Sequence, residues 1–145
     1  MSPPARRVPI LDDLNREFWT AGRDETLRLR RCANCQFWLH PPRPVCPKCW
    51  GRDLVWAATS GRGTLYSFTV NHKAWNPDLP VPYVIGMVEL IEQVGLRLTT
   101  NIVNCGSDDL VLGMPVRVVF ERQGEIFIPL FEPVVLGVRP TTVAP

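Results

Sequence analysis

The residues best able to do chemistry are five cysteines, Cys32, Cys35, Cys46, Cys49 and Cys105, and two histidines, His40 and His72. The first four cysteines form two Cys-x-x-Cys pairs separated by ten residues. Two such pairs on facing turns can set four thiolates at the corners of a tetrahedron, the arrangement zinc takes with Zn–S near ~2.3 Å. Ala33-Asn34 and Pro47-Lys48, enclosed by the pairs, suit tight turns. Arg31, Arg43 and Lys48 would offset part of the negative charge that four thiolates leave around Zn²⁺. A closed four-sulfur shell has no open coordination position, so the predicted metal is structural rather than catalytic. Iron in a rubredoxin-like site would use the same ligands.

The remaining reactive groups do not assemble into a catalytic set by sequence. Cys105 has no histidine near it in the chain and reads as a small packing residue. His40 sits between Leu39 and two prolines and reads as a local packing or hydrogen-bonding group. His72 is better placed, where a strand gives way to a Pro-rich loop, although a lone histidine is more often structural. The carboxylates are scattered. There is no Gly-x-Ser-x-Gly, P-loop or dinucleotide fingerprint, and Gly61-x-Gly63 is too short for a phosphate loop.

These groups must be positioned by a small, ordinary globular chain. It has 145 residues, 46% hydrophobic and 21% charged, enough for one domain with a core. A formal net charge of +2 lacks the footprint of a dedicated nucleic-acid binder. No run approaches the ~18–20 apolar residues of a membrane span. The start, MSPPARRVPI, has no apolar leader core, so the expectation is a cytoplasmic protein with reduced thiols.

Four segments are expected. Residues 1–26 are a tail and a helical stretch from Ile10 to about Arg23, with Leu11, Leu14 and Phe18 at helical steps and Gly22 as C-cap. Residues 27–58 are the ribbon, entered by the strand LRLRR and left by DLVWAAT. Residues 59–134 hold five strands: Thr64–His72, Tyr83–Gln93, Leu96–Val103, Pro115–Arg122 and Glu125–Phe131, with hairpin turns at Val94-Gly95 and Gln123-Gly124. In the first, Leu65, Ser67 and Thr69 should share one face and Tyr66, Phe68 and Val70 the other. Residues 135–145 read as an extended tail. Five short strands fit a closed OB-fold barrel, so the fold class is mainly β. Trp38 and Trp56 should pack ribbon on barrel, while Trp75 should be exposed and suggests a contact surface. Arg28 and Arg30 are either solvated strand residues or contacts for an anionic ligand such as the phosphates of a nucleotide-bearing cofactor.

Phe18-Trp19 with Gly22, CANC, PPRPVCPKC, Trp56, SGRGTLYSFTV, PYVIGMVEL, LRLTTNIV, LGMPVRVVF and PLFEPV occur here in one order. That order closely resembles the zinc-ribbon/OB-fold family once catalogued as domain of unknown function thirty-five, described as acyl-CoA-associated. The resemblance runs from about Leu11 to Val134. It implies an N-terminal helical segment, a rubredoxin-like ribbon holding structural zinc and a C-terminal OB barrel. It also implies a non-catalytic subunit of a hetero-oligomer, bound to a thiolase-like or lipid-transfer-type enzyme and helping to bind or channel acyl-CoA. Such settings include thiolase and HMG-CoA synthase in archaea, acyltransferase complexes, and aldolases that shorten steroid side chains in actinobacteria. Candidate ligand or partner contacts are Phe18, Trp19, Arg28, Arg30, His72 and Trp75. The rival reading is a single-stranded nucleic-acid module, since OB-folds and zinc ribbons also serve that role. A third would have His72 or Cys105 act on an acyl thioester.

Overall fold

The computed structural model describes residues 6–135; the outermost N-terminal residues and nearly all of the expected C-terminal tail lie outside that span. The N-terminal helix is much shorter than its periodicity predicts. Asp12 Oδ1 accepts the N–H groups of Leu14 (2.9 Å) and Asn15 (2.8 Å), and the Asn15 side chain binds back to Asp12 N–H and Ile10 C=O. These local bonds hold residues 12–15 in a turn and compete with helix. Helix α1 spans only Arg16–Thr20 and tightens into a 3-10 turn, Ala21–Asp24.

Gly22 does not cap this helix. Glu25 takes the left-handed conformation (φ 56°), donating its N–H to Gly22 C=O at 2.9 Å. Gly22 instead allows close approach: a Cβ there would collide with Phe127 Cβ and lie 2.6 Å from Phe120 Cδ1.

The ribbon is a three-stranded antiparallel sheet, ordered β2-β1-β3, of β1 (Arg28–Cys32), β2 (Trp38–Leu39) and β3 (Leu54–Ala58). Sequence pattern located β1 and β3; β2 is too short to announce itself. Ser60 and Gly61 lead into the barrel, where Arg62 and Gly63 already belong to the first strand, and Val118 N–H bonds to Gly61 C=O at 2.8 Å. Five strands follow: β4 (Arg62–Asn71), β5 (Tyr83–Leu90), β6 (Arg97–Ile102), β7 (Pro115–Gln123) and β8 (Ile126–Pro133). They close in the order β4-β5-β6-β8-β7, with β7 returning to β4. This is the five-stranded OB-fold barrel.

One detail departs from simple alternation. Leu65 pairs with Val88 and Ser67 with Met87, so Tyr66 is an extra, bulged residue. The bulge reverses the phase of β4: Leu65 is fully buried, and beyond it Phe68 and Val70, not Ser67 and Thr69, pack against the core. Tyr66 faces outward beneath the Arg97 guanidinium, 3.7 Å from its ring centroid.

The barrel's weak seam is between β6 and β8, parallel strands paired only at Ile102 and Phe131. Buried Thr100 donates its hydroxyl to Pro129 C=O across it (2.9 Å). Arg6 bonds both Asn101 (2.7 Å) on β6 and Glu121 (2.9 Å) on β7. Phe18, Leu27, Leu29 and Trp38 join Leu65, Val88 and Phe131 in one core, so helix, ribbon and barrel share their apolar interior.

Because Gly22 touches two phenylalanines, Gly22→Ala should destabilise the chain by about 1–3 kcal/mol through overpacking. Urea unfolding of the two proteins would measure the difference.

Candidate functional site

The four predicted ligands converge. Cys32 closes β1 and starts a turn in which Gln36 N–H bonds to Cys32 C=O (2.8 Å). The second pair repeats it, with Trp50 N–H on Cys46 C=O (2.9 Å). Gln36 (φ 67°) and Trp50 (φ 65°) both follow their pair in the left-handed conformation, which costs a non-glycine residue about 1 kcal/mol. The Sγ atoms of Cys32 and Cys49 are 3.6 Å apart and those of Cys35 and Cys46 3.7 Å, and all four lie within 4.8 Å of one another. A tetrahedron with ~2.3 Å Zn–S bonds has edges of about 3.8 Å. Two of the edges already match that length, and the cluster as a whole suits a tetrahedral zinc site.

Backbone donors prepare the sulfurs for a cation. Lys48 N–H points at Cys46 Sγ and Gly51 N–H at Cys49 Sγ, each at 3.4 Å. The Cys35 N–H is the main cause that lowers the Cys32 thiol to about 7. Burial opposes ionisation of Cys46, but the Cys49 and Lys48 N–H groups hold it below its ordinary value. For Cys35 the Phe37 N–H pulls downward, yet burial and the other three sulfurs push it up to about 11. Some thiols ionise readily while another keeps its proton until a cation displaces it. The site is a structural zinc centre.

A second feature lies where the three units meet. A cleft of about 550 Å³ opens over the β6–β8 seam, walled by Phe18 and Trp19 of α1, His40–Pro42 of the ribbon, and Leu98 and Pro129 of the barrel. Its volume suits a small organic group. Phe18 stacks on His40 with ring centroids 4.8 Å apart and meets Trp19 edge-on at 4.8 Å. His40 Nδ1 is buried without a hydrogen-bond partner among the described residues. Burial lowers this imidazole to about 4, so it is neutral at pH 7. Three of the polar groups at the rim are internally engaged: Asp12 and Asn15 with each other, Arg97 with Glu89 at 2.9 Å.

The proposed contact residues fall into three places. Phe18 and Trp19 come together in the cleft. Arg28 is paired with Glu17 (3.0 Å), and Arg30 bonds Leu54 C=O (2.8 Å) beneath Trp56. His72 and Trp75 belong to the loop between β4 and β5, where Trp75 is 70% exposed with Lys73 Nζ 4.1 Å from its ring centroid. Cys105 is pushed upward, first by burial and then by Asp109, so its thiol stays protonated. Two contributors escaped sequence reading. His40 reaches the cleft only through tertiary packing. Gln93 clamps the ribbon to the barrel by bonding both Trp38 N–H (2.9 Å) and Trp38 C=O (3.0 Å).

Family models for the ChsH2 rubredoxin-like zinc ribbon domain and the ChsH2 C-terminal OB-fold domain match residues 19–55 and 56–121. A chain of the solved Ltp2-ChsH2(DUF35) aldolase superposes with a TM-score of 0.80 at 36% identity, over 88% of this chain and 100% of that one. The chain belongs to the DUF35 family. Among its relatives, a probable enoyl-CoA hydratase alpha subunit of Thermomonospora curvata is 39% identical over 131 residues, 90% of this chain and 40% of that protein. The benzoylsuccinyl-CoA thiolase subunit BbsA of Thauera aromatica is 34% identical over 73 residues, half of each chain. The DUF35 chain described here thus spans half or less of these two relatives. Among the described residues no helix is long and apolar enough to cross a membrane.

Two outcomes follow from this geometry. Cys46→Ser should reduce bound zinc from one equivalent towards none and unfold the ribbon, since a structural zinc contributes on the order of 10 kcal/mol; Cys105→Ser should keep its zinc. Metal analysis of the purified proteins checks both. For His40 the folded value, about 4, lies below the ordinary 6.5. Between those values the unfolded chain binds more protons, so stability must fall as pH drops through that window. From pH 7 to pH 5 the wild type should lose up to about 2 kcal/mol more than His40→Phe, as read by urea unfolding at each pH.

Proposed function

We propose that this chain is a non-catalytic subunit that docks on a thiolase-like enzyme and helps to hold the acyl part of an acyl-CoA. The observation that carries the reading is the cleft at the joint of helix, ribbon and barrel. It is mostly apolar and of a size for a small organic group, and its charged rim groups Asp12 and Arg97 are already bonded within the chain. A trough of that kind is suited to holding a chain or ring, and burial makes its one imidazole, His40, a weak base. The zinc centre supports the same view from another side. With four thiolate ligands it braces the cleft wall formed by His40–Pro42 and offers no position for substrate.

The partner class is supported by the relatives: one is a chain of an aldolase, another a subunit of a CoA-ester thiolase. Phe18 and Trp19 would be the acyl contacts, and exposed Trp75 with His72 a surface for the partner. Arg28 is paired with Glu17, and Arg30 donates from Nη1 to Leu54 C=O while its buried Nε has no partner among the described residues; we assign both to holding the ribbon rather than to phosphate binding. A cytoplasmic setting suits a zinc site that requires reduced thiols.

Co-purification from the native host, with the associated chain identified by mass spectrometry, tests the reading. A thiolase-like chain should appear in stoichiometric amount, and the isolated subunit should turn over no acyl-CoA. Recovery of the protein alone, or robust activity of the isolated subunit, would refute it.

A further inference from the structure

The two zinc turns are near-copies of each other, and one side chain breaks the likeness. At the position after the first pair, Gln36 adopts φ 67° and folds back, its Nε2 donating to Ala33 C=O at 3.0 Å. The matching residue of the second turn, Trp50, adopts φ 65°, yet its indole makes no hydrogen bond or ring contact with any described residue and is 79% exposed. Glycine would meet the backbone requirement at this position without strain. The fold therefore carries a large, left-handed tryptophan whose ring lies mostly in solvent. The base beneath it is rigid: Trp50 N–H is bonded to Cys46 C=O and Gly51 N–H to the Cys49 sulfur.

We propose that Trp50 is an anchor that inserts into an apolar pocket of a partner protein, a contact surface separate from the cleft. Tryptophan is the residue type most enriched among such anchors, and one held on a metal-stapled turn loses little freedom on binding. Charge favours a protein over a nucleic acid as the occupant. Arg43, Lys48 and Arg52 are exposed around this turn, but Asp53 and the net charge of about −2 on a four-thiolate zinc site balance them. The pocket should present a hydrogen-bond acceptor to the indole N–H at its base.

This inference rests on the existence of the partner subunit described under Proposed function, and its test separates the two. The partner identified by co-purification is titrated with wild type and Trp50→Gly by isothermal calorimetry. Trp50→Gly should retain one equivalent of zinc and an unchanged or raised melting temperature, because glycine suits the left-handed turn. Its affinity for the partner should fall at least tenfold. Binding within twofold of wild type would overturn the anchor while leaving the subunit reading intact. If no partner is recovered, both fall. Fluorescence anisotropy with a twenty-residue oligothymidine at low salt supplies the other arm: micromolar binding that Trp50→Gly abolishes would assign the indole to base stacking and overturn the protein pocket.

Discussion

Everything in this fold depends on four thiols being held within bonding distance of one ion. The ribbon's own apolar cluster is minimal, with only Cys32, Leu39 and Cys46 fully buried, so two of its three core residues are themselves ligands. A unit of that size cannot offset its chain entropy by apolar burial alone. Zinc supplies the missing stabilisation, and the backbone donors that lower Cys32 and Cys46 are the local preparation for it. Once stapled, the ribbon offers Leu29 and Trp38 to the barrel core and His40 to the cleft. The four-thiolate centre has no open position, and it fixes the wall of the cleft formed by His40–Pro42.

The barrel has the complementary weakness. An OB barrel closes through one parallel pairing, and here that pairing is a single bridge backed by the Thr100 hydroxyl. Chain outside the barrel is recruited to cover the seam: the N-terminal segment lies over it, and Arg6 ties β6 to β7. The cleft is what this covering leaves unfilled. Its position follows from topology, which explains how a short helix with little stability of its own becomes the outer wall of the site.

Legibility tracked how local each signal was. The zinc ligands, the ribbon strands on either side of them and both barrel hairpins could be read because spacing, alternation and glycine positions are short-range properties; the turn expected at Ser60–Gly63 is shorter, since Arg62 and Gly63 are already paired in β4. The overlong helix misled because Leu11, Leu14 and Phe18 keep helical steps, while Asp12 and Asn15 hydrogen-bond locally and win over residues 12–15. The phase change in β4 was invisible since nothing in LYSF marks Tyr66 as the extra residue; only its partners on β5 do. His40, Gln93 and Gly22 owe their roles to residues 22, 55 and about 100 positions away respectively, as in the Phe18 stack, the Trp38 clamp and the Phe120–Phe127 contact. The partners of Arg28 and Arg30, Glu17 and the Leu54 carbonyl, were equally beyond the reach of short-range pattern.

The Gln93 clamp has a mechanical meaning. By occupying both the N–H and the C=O of Trp38, one side chain bolts the ribbon to the β5–β6 hairpin at a residue two places before His40. Two of the cleft's walls therefore form a single rigid frame. The third, around Asp12–Trp19, is fastened by exposed bonds between near neighbours and by the Arg28–Glu17 pair. Phe18, buried in the shared core, ties that N-terminal wall to the same frame, so the width of the opening is set by contacts with the interior and not by the side chains at the rim.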